Sequence, residues 1–366
     1  MQKKIPFLDL KEQYLSIKDE VNVAVSKVFE QTAFSSGQFV TEFENNFAKY
    51  IAVENVVGVN NGTSALHLCL LALGIKEGDE IIIPTNTFIA TAWASCYVNA
   101  KPVFVDCDSQ TWNIDVSAIE KIITSKTKAI IGVHLYGQPC DIDTLKKTCD
   151  KHKLFLIEDC AQSHGAKYNG KTVGGFGDIS AFSFYPGKNL GAFGEAGAVV
   201  SNNKKFIDKI RILINQGSEK KYYHDLIGYN MRMDGLQGAV LNVKLNHILK
   251  WTKRRQEIAA LYKSKIKNKK IKFQNHPENI ESVFHLFVIT VEKREDLMAY
   301  LNEKNIFPGI HYPVPIHLQK AFANLHHKKG DFPHAEYLSE NCLSLPMFPE
   351  LKNEDVEYVI EQLNNY

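Results

Sequence analysis

Hydrophobic and polar positions alternate along the first two thirds of the chain between two kinds of segment. Short runs of apolar, mostly β-branched residues are typical of buried strands, and longer segments between them carry apolar residues at helical spacing. The short runs predict seven strands, at 56–59, 80–83, 102–105, 129–133, 154–157, 179–183 and 198–201. The early intervening segments predict helices at 64–73, 88–98, 115–123 and 141–151. This alternation indicates an α/β fold with a mostly parallel seven-stranded sheet covered on both faces.

The remaining segments predict an N-terminal helix and a second, smaller domain. Apolar residues recur at helical spacing over 17–28, which indicates an amphipathic helix before the first strand. Residues 234–265 predict one long helix. We place the domain boundary within it, which gives a large domain at 1–245 and a small C-terminal α+β domain at 246–366. The small domain is predicted to contain a strand at 284–291 and helices at 296–304, 334–342 and 354–363.

Composition and charge narrow the range of functions. Of 366 residues, 45% are hydrophobic and 23% are charged, which is ordinary globular usage and predicts a soluble protein. The formal net charge of +2 is too small to indicate a nucleic-acid or anionic-membrane surface. A Lys/Asn-rich stretch at 263–272 has no interleaved aromatic residues, so we interpret it as a solvated helix face and loop. Because the sequence has no run of about 18 apolar residues, no membrane span is predicted.

Seven cysteines are scattered singly through the sequence, without a C-x-x-C pair. The odd count and wide spacing predict neither a disulfide framework nor a zinc site, so no metal is expected. The first residues lack the apolar run of a signal peptide. We therefore expect a protein of the reducing cytoplasm.

The residues Gly165-x-x-x-x-Gly170-Lys171-Thr172 match the phosphate-loop pattern of nucleotide triphosphatases. That loop has to lead directly into a helix whose N-terminus holds the phosphates. Here three glycines within four positions follow the motif, and they cannot begin a stable helix. We therefore predict a surface hairpin turn at Asn169-Gly170 instead.

A better candidate for phosphate binding is the phosphate cradle, by which we mean Gly62, Thr63 and Ser64. It lies between the first predicted strand and an apolar helical segment. Gly62 permits a tight turn, while the two hydroxyls and the free N–H groups at the helix start can hold a dianionic phosphate. A plain helix cap formed by the same polar residues is the alternative interpretation.

Two further features follow predicted strands. The strand at 154–157 leads into Glu158 and Asp159, and one of these acids should face a ligand beyond the carboxyl end of the sheet. Such an acid can bind Mg²⁺, hold a protonated ring nitrogen or cap the next turn. Lys188 lies in a Gly/Pro turn after the strand at 179–183, where an ordinary surface lysine is the alternative interpretation.

The three features together favour pyridoxal 5′-phosphate as the cofactor. Its aldehyde condenses with a lysine, its ring nitrogen needs an acid, and its phosphate needs a cluster of donors. Lys188, Asp159 and the phosphate cradle supply these groups, and all three are predicted at the same edge of one sheet.

Ordered motifs extend these features over nearly the whole chain. They are PFLDL at 6–10, SGxxVxxFE at 36–44, NGTSAL at 61–66, PTxTFxAT at 84–91, EDxAQ at 158–162, PGKNLGA at 186–192 and GYNxRM at 228–233. A chain with these motifs resembles the DegT/DnrJ/EryC1/StrS family of nucleotide-sugar aminotransferases. The resemblance implies the aspartate aminotransferase-like fold, which is fold type I of the pyridoxal-phosphate enzymes.

The resemblance also implies roles for individual residues. Lys188 would carry the cofactor covalently, and Asp159 would pair with its ring nitrogen and keep it protonated. Gln162 would contact the ring hydroxyl, and Phe88 would stack on the ring. Phosphate contacts are implied for Gly62, Thr63, Ser64 and Ser183. Asn230 would reach the phosphate bound by the neighbouring subunit, which implies a homodimer with shared active sites.

Two segments resemble one subgroup of the family. The turn at 186–192 and the motif HLYGQP at 134–139 resemble members that aminate C3 of a dTDP-linked 3-keto-6-deoxyhexose, whereas members acting at C4 more often continue differently after the lysine. Contacts with the sugar nucleotide are expected, by the same resemblance, from Tyr185, Lys221, His311, Tyr312 and His317. A purely structural role is the alternative for these side chains.

The sequence thus predicts a transaminase that takes the amino group of L-glutamate and transfers it to a dTDP-linked keto sugar, with Lys188 moving the proton. Amination at C4 is one alternative. A second is the dehydratase branch of the family, but there a histidine replaces the lysine. A third is a regulatory protein that binds the cofactor or the sugar without turnover, because a fold does not determine a function.

Overall fold

The computed structural model describes residues 4–366. Its main sheet contains the strands β1 (Asn55–Val59), β2 (Glu80–Pro84), β3 (Lys101–Val105), β4 (Thr127–Val133), β5 (Phe155–Asp159), β8 (Ile179–Ser183) and β9 (Gly197–Ser201). The short strands are β6 (Lys167–Tyr168), β7 (Lys171–Thr172), β10 (Lys272–Phe273), β11 (Ile280–Glu281), β12 (Phe287–Thr290) and β13 (Cys342–Leu345). All seven strands predicted for the main sheet are confirmed, with ends that differ by two residues at most.

The order of the main sheet is β1-β9-β8-β5-β4-β2-β3. The strands from β3 to β8 in this order pair in parallel, whereas β9 is antiparallel to both β8 and β1. The predicted mostly parallel sheet is therefore confirmed. Because β1 runs in the same direction as β8 and β5, the carboxyl ends of these three strands lie at one edge of the sheet.

Helices cover both faces of this sheet and build the C-terminal part. The α-helices are α1 (Leu10–Glu30), α2 (Gln38–Ile51), α3 (Gly62–Ala72), α4 (Ala90–Tyr97), α5 (Val116–Ile119), α6 (Ile142–His152), α7 (Lys204–Ile214), α8 (Gly235–Leu245), α9 (Ile248–Lys265), α10 (Arg294–Glu303), α11 (Pro333–Asn341) and α12 (Asn353–Asn365). The predicted N-terminal helix is α1, and the four early predicted helices are α3 to α6. Within residues 4–366, none of the helices combines the length and the apolar character needed to cross a membrane.

Helix α3 determines where the site forms. It is apolar on nearly every side, and nine of its eleven residues are buried, because it packs between the sheet and helices α4 and α7. A helix that is apolar all round belongs inside a protein. Its N-terminus directly follows β1, so the phosphate cradle is fixed at the carboxyl edge of the sheet.

A second hydrophobic core lies in the C-terminal part of the chain. The sheet β10-β12-β13 packs there with helices α9, α10 and α12. The N-terminal segment joins this core through Ile5, whose N–H donates to the carbonyl of Asn305 at 2.9 Å. Between β11 and β12, the N–H groups of Val283 and Leu286 donate to the carbonyls of Gly137 and Tyr136, which joins this part of the chain to the segment after β4.

The long helix predicted at 234–265 is two helices, α8 and α9. At Asn246 and His247 the backbone N–H groups bond to carbonyls three positions back instead of four, which interrupts the α-helical hydrogen-bond pattern. Before the break, α8 packs against α1 and α2; after it, α9 packs against α12. The prediction of a single helix was wrong because the two halves bury their apolar faces against different partners.

The strand predicted at 284–291 is shorter in the structure, where β12 spans Phe287–Thr290. Phe284 has a φ of 45°, which lies outside the β region. The carbonyls of Phe284 and His285 accept hydrogen bonds from the Arg255 guanidinium at 3.3 Å instead of pairing with a strand. The sequence pattern could not reveal this competing donor.

The hairpin predicted in place of a phosphate loop is confirmed. Strands β6 and β7 are antiparallel, and the two residues between them, Asn169 and Gly170, have φ values of 49° and 75°. Positive φ at both positions is typical of a type I′ turn. All seven cysteines are free in the structure.

Candidate active site

A cavity of about 1020 Å³ opens at the carboxyl edge of the main sheet. Residues of the main sheet, and of the loops and helices that follow its strands, form the floor of this cavity. Residues from the C-terminal part, together with Phe7 and Leu8, form the opposite wall. The predicted site residues that line this cavity are Gly62, Thr63, Ser64, Phe88, Asp159, Gln162, Ser183, Tyr185, Lys188, His311 and Tyr312. The fold therefore brings together predicted residues from five separate stretches of sequence.

The phosphate cradle lies at the N-terminus of α3. Asn61 caps the helix by accepting a hydrogen bond from the N–H of Ser64 at 2.8 Å. The N–H groups of Gly62 and Thr63 have no partner among the described residues, so they remain available to a ligand. A Cβ atom at Gly62 would lie 2.6 Å from Cβ of Ser183, so only glycine allows this close approach. Free N–H groups, nearby hydroxyls and the helix dipole suit a phosphate.

Asp159 lies at the end of β5 and is buried. Its Oδ2 accepts a hydrogen bond from the Thr91 hydroxyl at 2.9 Å, and its Oδ1 accepts one from the N–H of Ala161 at 3.1 Å. Burial raises the pKa of Asp159, and these two bonds together with the charge of Lys188 oppose that rise. The two bonds fix the orientation of a carboxylate that faces the cavity and can pair with a protonated ring nitrogen.

Lys188 lies in the turn after β8. Its N–H donates to the carbonyl of Tyr185 at 2.8 Å, and the N–H of Ala192 closes the turn on the carbonyl of Phe184. Burial lowers the pKa of Lys188 to about 8, although the charge of Asp159 partly opposes the decrease. An amine with this pKa is partly unprotonated near neutral pH, which is what a lysine needs to form an imine.

Gln162 connects the floor of the cavity to the opposite wall. Its Oε1 accepts a hydrogen bond from the N–H of Tyr136 at 2.6 Å, and its Nε2 donates to the hydroxyl of Tyr312 at 3.1 Å. The ring of Phe88 lies 5.7 Å from that of Tyr312 and is half exposed in the cavity mouth. His311 stacks on Phe7, and burial lowers the pKa of His311 to about 4.

The two acids at the end of β5 have different surroundings. Asp159 faces the cavity, whereas Glu158 is buried on the other side of the sheet, where its carboxylate accepts hydrogen bonds from the N–H groups of Gly174, Phe176 and Gly177. Its Oε2 also lies 3.1 Å from Nε2 of His134. Of the two acids, Asp159 is therefore the one that lines the cavity, and Glu158 binds the loop before β8.

Three predicted residues do not line the cavity. His317 is buried, with Nδ1 2.9 Å from the Thr85 hydroxyl and Nε2 3.0 Å from Glu336. Because both ring nitrogens are occupied, this placement does not support the predicted contact of His317 with substrate. Lys221 and Asn230 are exposed on the surface.

Sequence reasoning missed several residues of the site. Thr91 orients Asp159 although the two are 68 positions apart, and His285 and His67 line the cavity from a loop and from α3. Thr91 lies within the motif at 84–91, so its proximity to Phe88 was the one available signal. For His285, no local pattern in the sequence indicated a role, because the contact depends on how the C-terminal part folds back over the sheet.

The fold and the site define a pyridoxal-phosphate aminotransferase of fold type I. The chain belongs to the DegT/DnrJ/EryC1/StrS aminotransferase family, whose model matches residues 15–364. It is therefore a sugar aminotransferase, and the enzyme class and the cofactor predicted from the sequence are confirmed.

The similarity to known proteins extends over nearly the whole chain. The dTDP-3-amino-3,6-dideoxy-alpha-D-galactopyranose transaminase of Aneurinibacillus thermoaerophilus is 44% identical over 362 residues, which cover 99% of each chain. A UDP-N-acetyl-3-dehydro-alpha-D-glucosamine 3-aminotransferase of Acidithiobacillus ferrooxidans is 42% identical over 96% of this chain and 95% of its own. The crystal structure of DesV from S. venezuelae, in complex with a ketimine intermediate, superposes with a TM-score of 0.97 at 40% identity and covers 99% of this chain and 98% of its own.

Proposed function

We propose that this enzyme transfers the amino group of L-glutamate to C3 of a dTDP-linked 3-keto-6-deoxyhexose. The observation that carries the proposal is the similarity, over 99% of both chains, to a transaminase named for a dTDP-linked 3-amino-3,6-dideoxy sugar. The turn at 186–192 and the segment at 134–139, which resemble the C3 group, support the same regiochemistry.

The residues of the cavity fit pyridoxal phosphate at each of its polar groups. The phosphate cradle and Ser183 would hold the phosphate, Asp159 would hold the ring nitrogen, and Lys188 would hold the cofactor covalently. When bound, the cofactor carries the amino group between the two substrates and acts as an electron sink. Its phosphate would be anchored by fixed N–H groups, so the reactive end would be presented in one orientation.

Lys188 is the proton carrier in this proposal. With a pKa of about 8, its amine exchanges a proton near neutral pH without a large free-energy cost. Lys188 would take a proton from one carbon and return it to another within the cavity. Thr91 and Ala161 hold the Asp159 carboxylate in one orientation. The negative charge that would pair with the ring nitrogen therefore stays at a constant position.

The sugar nucleotide would enter along the wall that carries Tyr185, His311 and Tyr312. Remote binding energy from the nucleotide can be used to position the reacting carbon, so a free keto sugar should react poorly. The diphosphate needs cationic partners. Lys221 is exposed and does not line the cavity of its own chain, so in this proposal Lys221 of a second subunit would contact the diphosphate.

We further propose that the enzyme is a cytoplasmic homodimer with shared sites. Asn230 is exposed on the surface and does not line the cavity of its own chain. The neighbouring segment exposes large apolar side chains, including Tyr222 at 81% and Ile227 at 92%. Such exposure is typical of an interaction surface, and a second copy would cover it while bringing Asn230 to the other cavity.

The test is incubation of the enzyme with L-glutamate and a panel of dTDP- and UDP-linked 3-keto and 4-keto sugars, with the position of the new C–N bond determined by NMR. We expect amination at C3 of the dTDP-linked 3-keto-6-deoxyhexose. A product aminated at C4, or a strong preference for a UDP-linked sugar, would contradict the proposed substrate. Bleaching of the cofactor absorption by glutamate distinguishes a working transaminase from a regulatory binder.

A further inference from the structure

His285 lines the cavity and is held in one tautomer by its neighbours. Its Nδ1 lies 3.2 Å from Oδ1 of Asn189, and Nδ2 of Asn189 donates to the carbonyl of Val283 at 3.0 Å. A carbonyl only accepts, so this second bond fixes which end of the buried Asn189 amide faces His285. The amide oxygen therefore requires a donor, and Nδ1 of His285 must carry the hydrogen.

The other ring nitrogen is then an acceptor without a partner. With the hydrogen on Nδ1, the neutral ring has its lone pair on Nε2. No donor among the described residues lies within hydrogen-bond distance of Nε2, and the ring forms part of the cavity wall. Burial lowers the pKa of His285, and the charges of Lys188 and Arg255 lower it further, so the ring stays neutral.

The backbone of His285 is fixed as firmly as its ring. Arg255 donates to the carbonyl of His285 at 3.3 Å, and the N–H of Leu286 donates to the carbonyl of Tyr136. A Cβ atom at Gly137 would lie 2.8 Å from the backbone nitrogen of His285, so the two segments are in close contact. Nε2 is thus presented to the cavity from a rigid support rather than from a loose loop.

The lone pair of Nε2 determines which ligand groups it can bind. The polar groups of the cofactor already have candidate partners in the phosphate cradle, Asp159 and Gln162. L-Glutamate brings two carboxylates, which need donors and would be repelled by a lone pair. A sugar ring carries hydroxyl groups, which are donors.

We infer that Nε2 of His285 accepts a hydrogen bond from a hydroxyl group of the bound sugar. The inference rests on the proposed function, because it takes the second substrate to be a sugar. On this inference, His285 contributes to binding of the sugar ring and does not contribute to binding of the nucleotide. Asn189, which neighbours Lys188 in the chain, acts through His285 as a positioning residue.

The test compares two variants and two ligands. His285→Leu removes the acceptor at similar size, and His285→Gln retains an acceptor oxygen near the position of Nε2. The enzyme is used in its pyridoxamine phosphate form, so that dTDP-3-amino-3,6-dideoxygalactose binds without reacting. Its affinity and that of dTDP alone are measured by calorimetry, and cofactor absorption and thermal unfolding verify that each variant is loaded and folded.

We expect His285→Leu to weaken binding of the amino sugar nucleotide by about three- to tenfold, the usual effect of one hydrogen bond, while dTDP binds as before. His285→Gln should recover much of the loss. Equal losses for both ligands, or no loss for either, would overturn the inference. Wild-type enzyme that binds neither dTDP ligand would instead overturn the proposed substrate, and UDP and UDP-N-acetylglucosamine would then serve for the same comparison.

Discussion

At the scale of the residue, Lys188 shows how burial adapts an ordinary side chain. A lysine in water is almost fully protonated at neutral pH. Removal from solvent disfavours the charged form and lowers the pKa of Lys188 to about 8, while Asp159 limits the decrease. Lys188 and Asp159 are thus close enough for their charges to interact, but they do not form a direct ion pair.

The lowered pKa predicts how cofactor attachment depends on pH. Only the neutral amine attacks the aldehyde, so the rate of covalent attachment to the cofactor-free enzyme should rise with pH and level off above about 8. Stopped-flow absorbance at saturating pyridoxal phosphate measures this rate. Lys188→Arg is the control and should show no attachment at any pH, because a guanidinium stays protonated. A rise centred near the ordinary lysine pKa, about two units higher, would contradict the buried environment.

Thr91 provides a second prediction at this scale. Its hydroxyl donates to Asp159 and therefore accepts from the hydroxyl of Thr87 at 3.1 Å. Thr91→Val keeps the shape but removes the donor, and because this bond lowers the pKa of Asp159, its loss should raise that pKa. As the pH is lowered, the variant should therefore lose activity at a higher pH than the wild-type enzyme does. At neutral pH its kcat should be reduced by about tenfold.

Thr91→Ser is the matched variant, because it restores the hydroxyl. It should return the acid limb of the pH profile to its wild-type position. If Thr91→Val and Thr91→Ser behaved alike, packing rather than the hydrogen bond would explain the effect.

At the scale of the element, Glu158 ties the end of β5 to the loop that leads into β8. Burial alone would raise the pKa of Glu158, but hydrogen bonds from His134, Gly177 and Gly174 hold the pKa below its ordinary value. The N–H of Cys140 donates to Nδ1 of His134, so Nε2 of His134 carries the hydrogen that faces Glu158. One buried carboxylate thereby satisfies several donors around it.

We predict that Glu158→Gln destabilises the protein by about 3 kcal/mol, since the amide N–H₂ faces donors wherever it is placed. Chemical or thermal unfolding of the loaded enzyme measures this change. The control is Glu281→Gln, which removes an exposed ion pair with Lys167 at 3.0 Å and should cost less than about 1 kcal/mol. Similar losses for the two variants would show that Glu158 does not hold the loop.

The elements also show what the sequence can and cannot predict. All strands of the main sheet were predicted because buried parallel strands are continuous apolar runs. Helix α2 and helix α7 were not predicted, although both are amphipathic, and α8 was joined to α9. Boundaries of this kind depend on tertiary partners such as Arg255, whose guanidinium binds the carbonyls of Phe284 and His285, so that β12 begins later than predicted. For the same reason the sequence indicated Lys188 and Asp159, which lie at strand ends, but not Thr91 or His285, whose roles depend on long-range contacts.

At the scale of the whole molecule, the proposed dimer separates the groups of each site between chains. Lys188 and Asp159 line the same cavity of one chain, whereas Asn230 is exposed outside it. If the partner supplies Asn230, inactive subunits with defects in different parts of the site should complement each other. Subunits with defects in the same part should not.

We therefore predict that mixing Lys188→Ala with Asn230→Asp chains restores activity. In a mixed dimer, one site combines an intact Lys188 with an intact Asn230, while the other carries both defects. Random exchange of equal amounts should give about a quarter of the wild-type sites, because half of the dimers are mixed and each has one good site. The matched control mixes Lys188→Ala with Asp159→Asn, for which neither site of a mixed dimer is intact. Two affinity tags establish that exchange has occurred; recovery in both mixtures, or in neither, would rule out sites shared in this way.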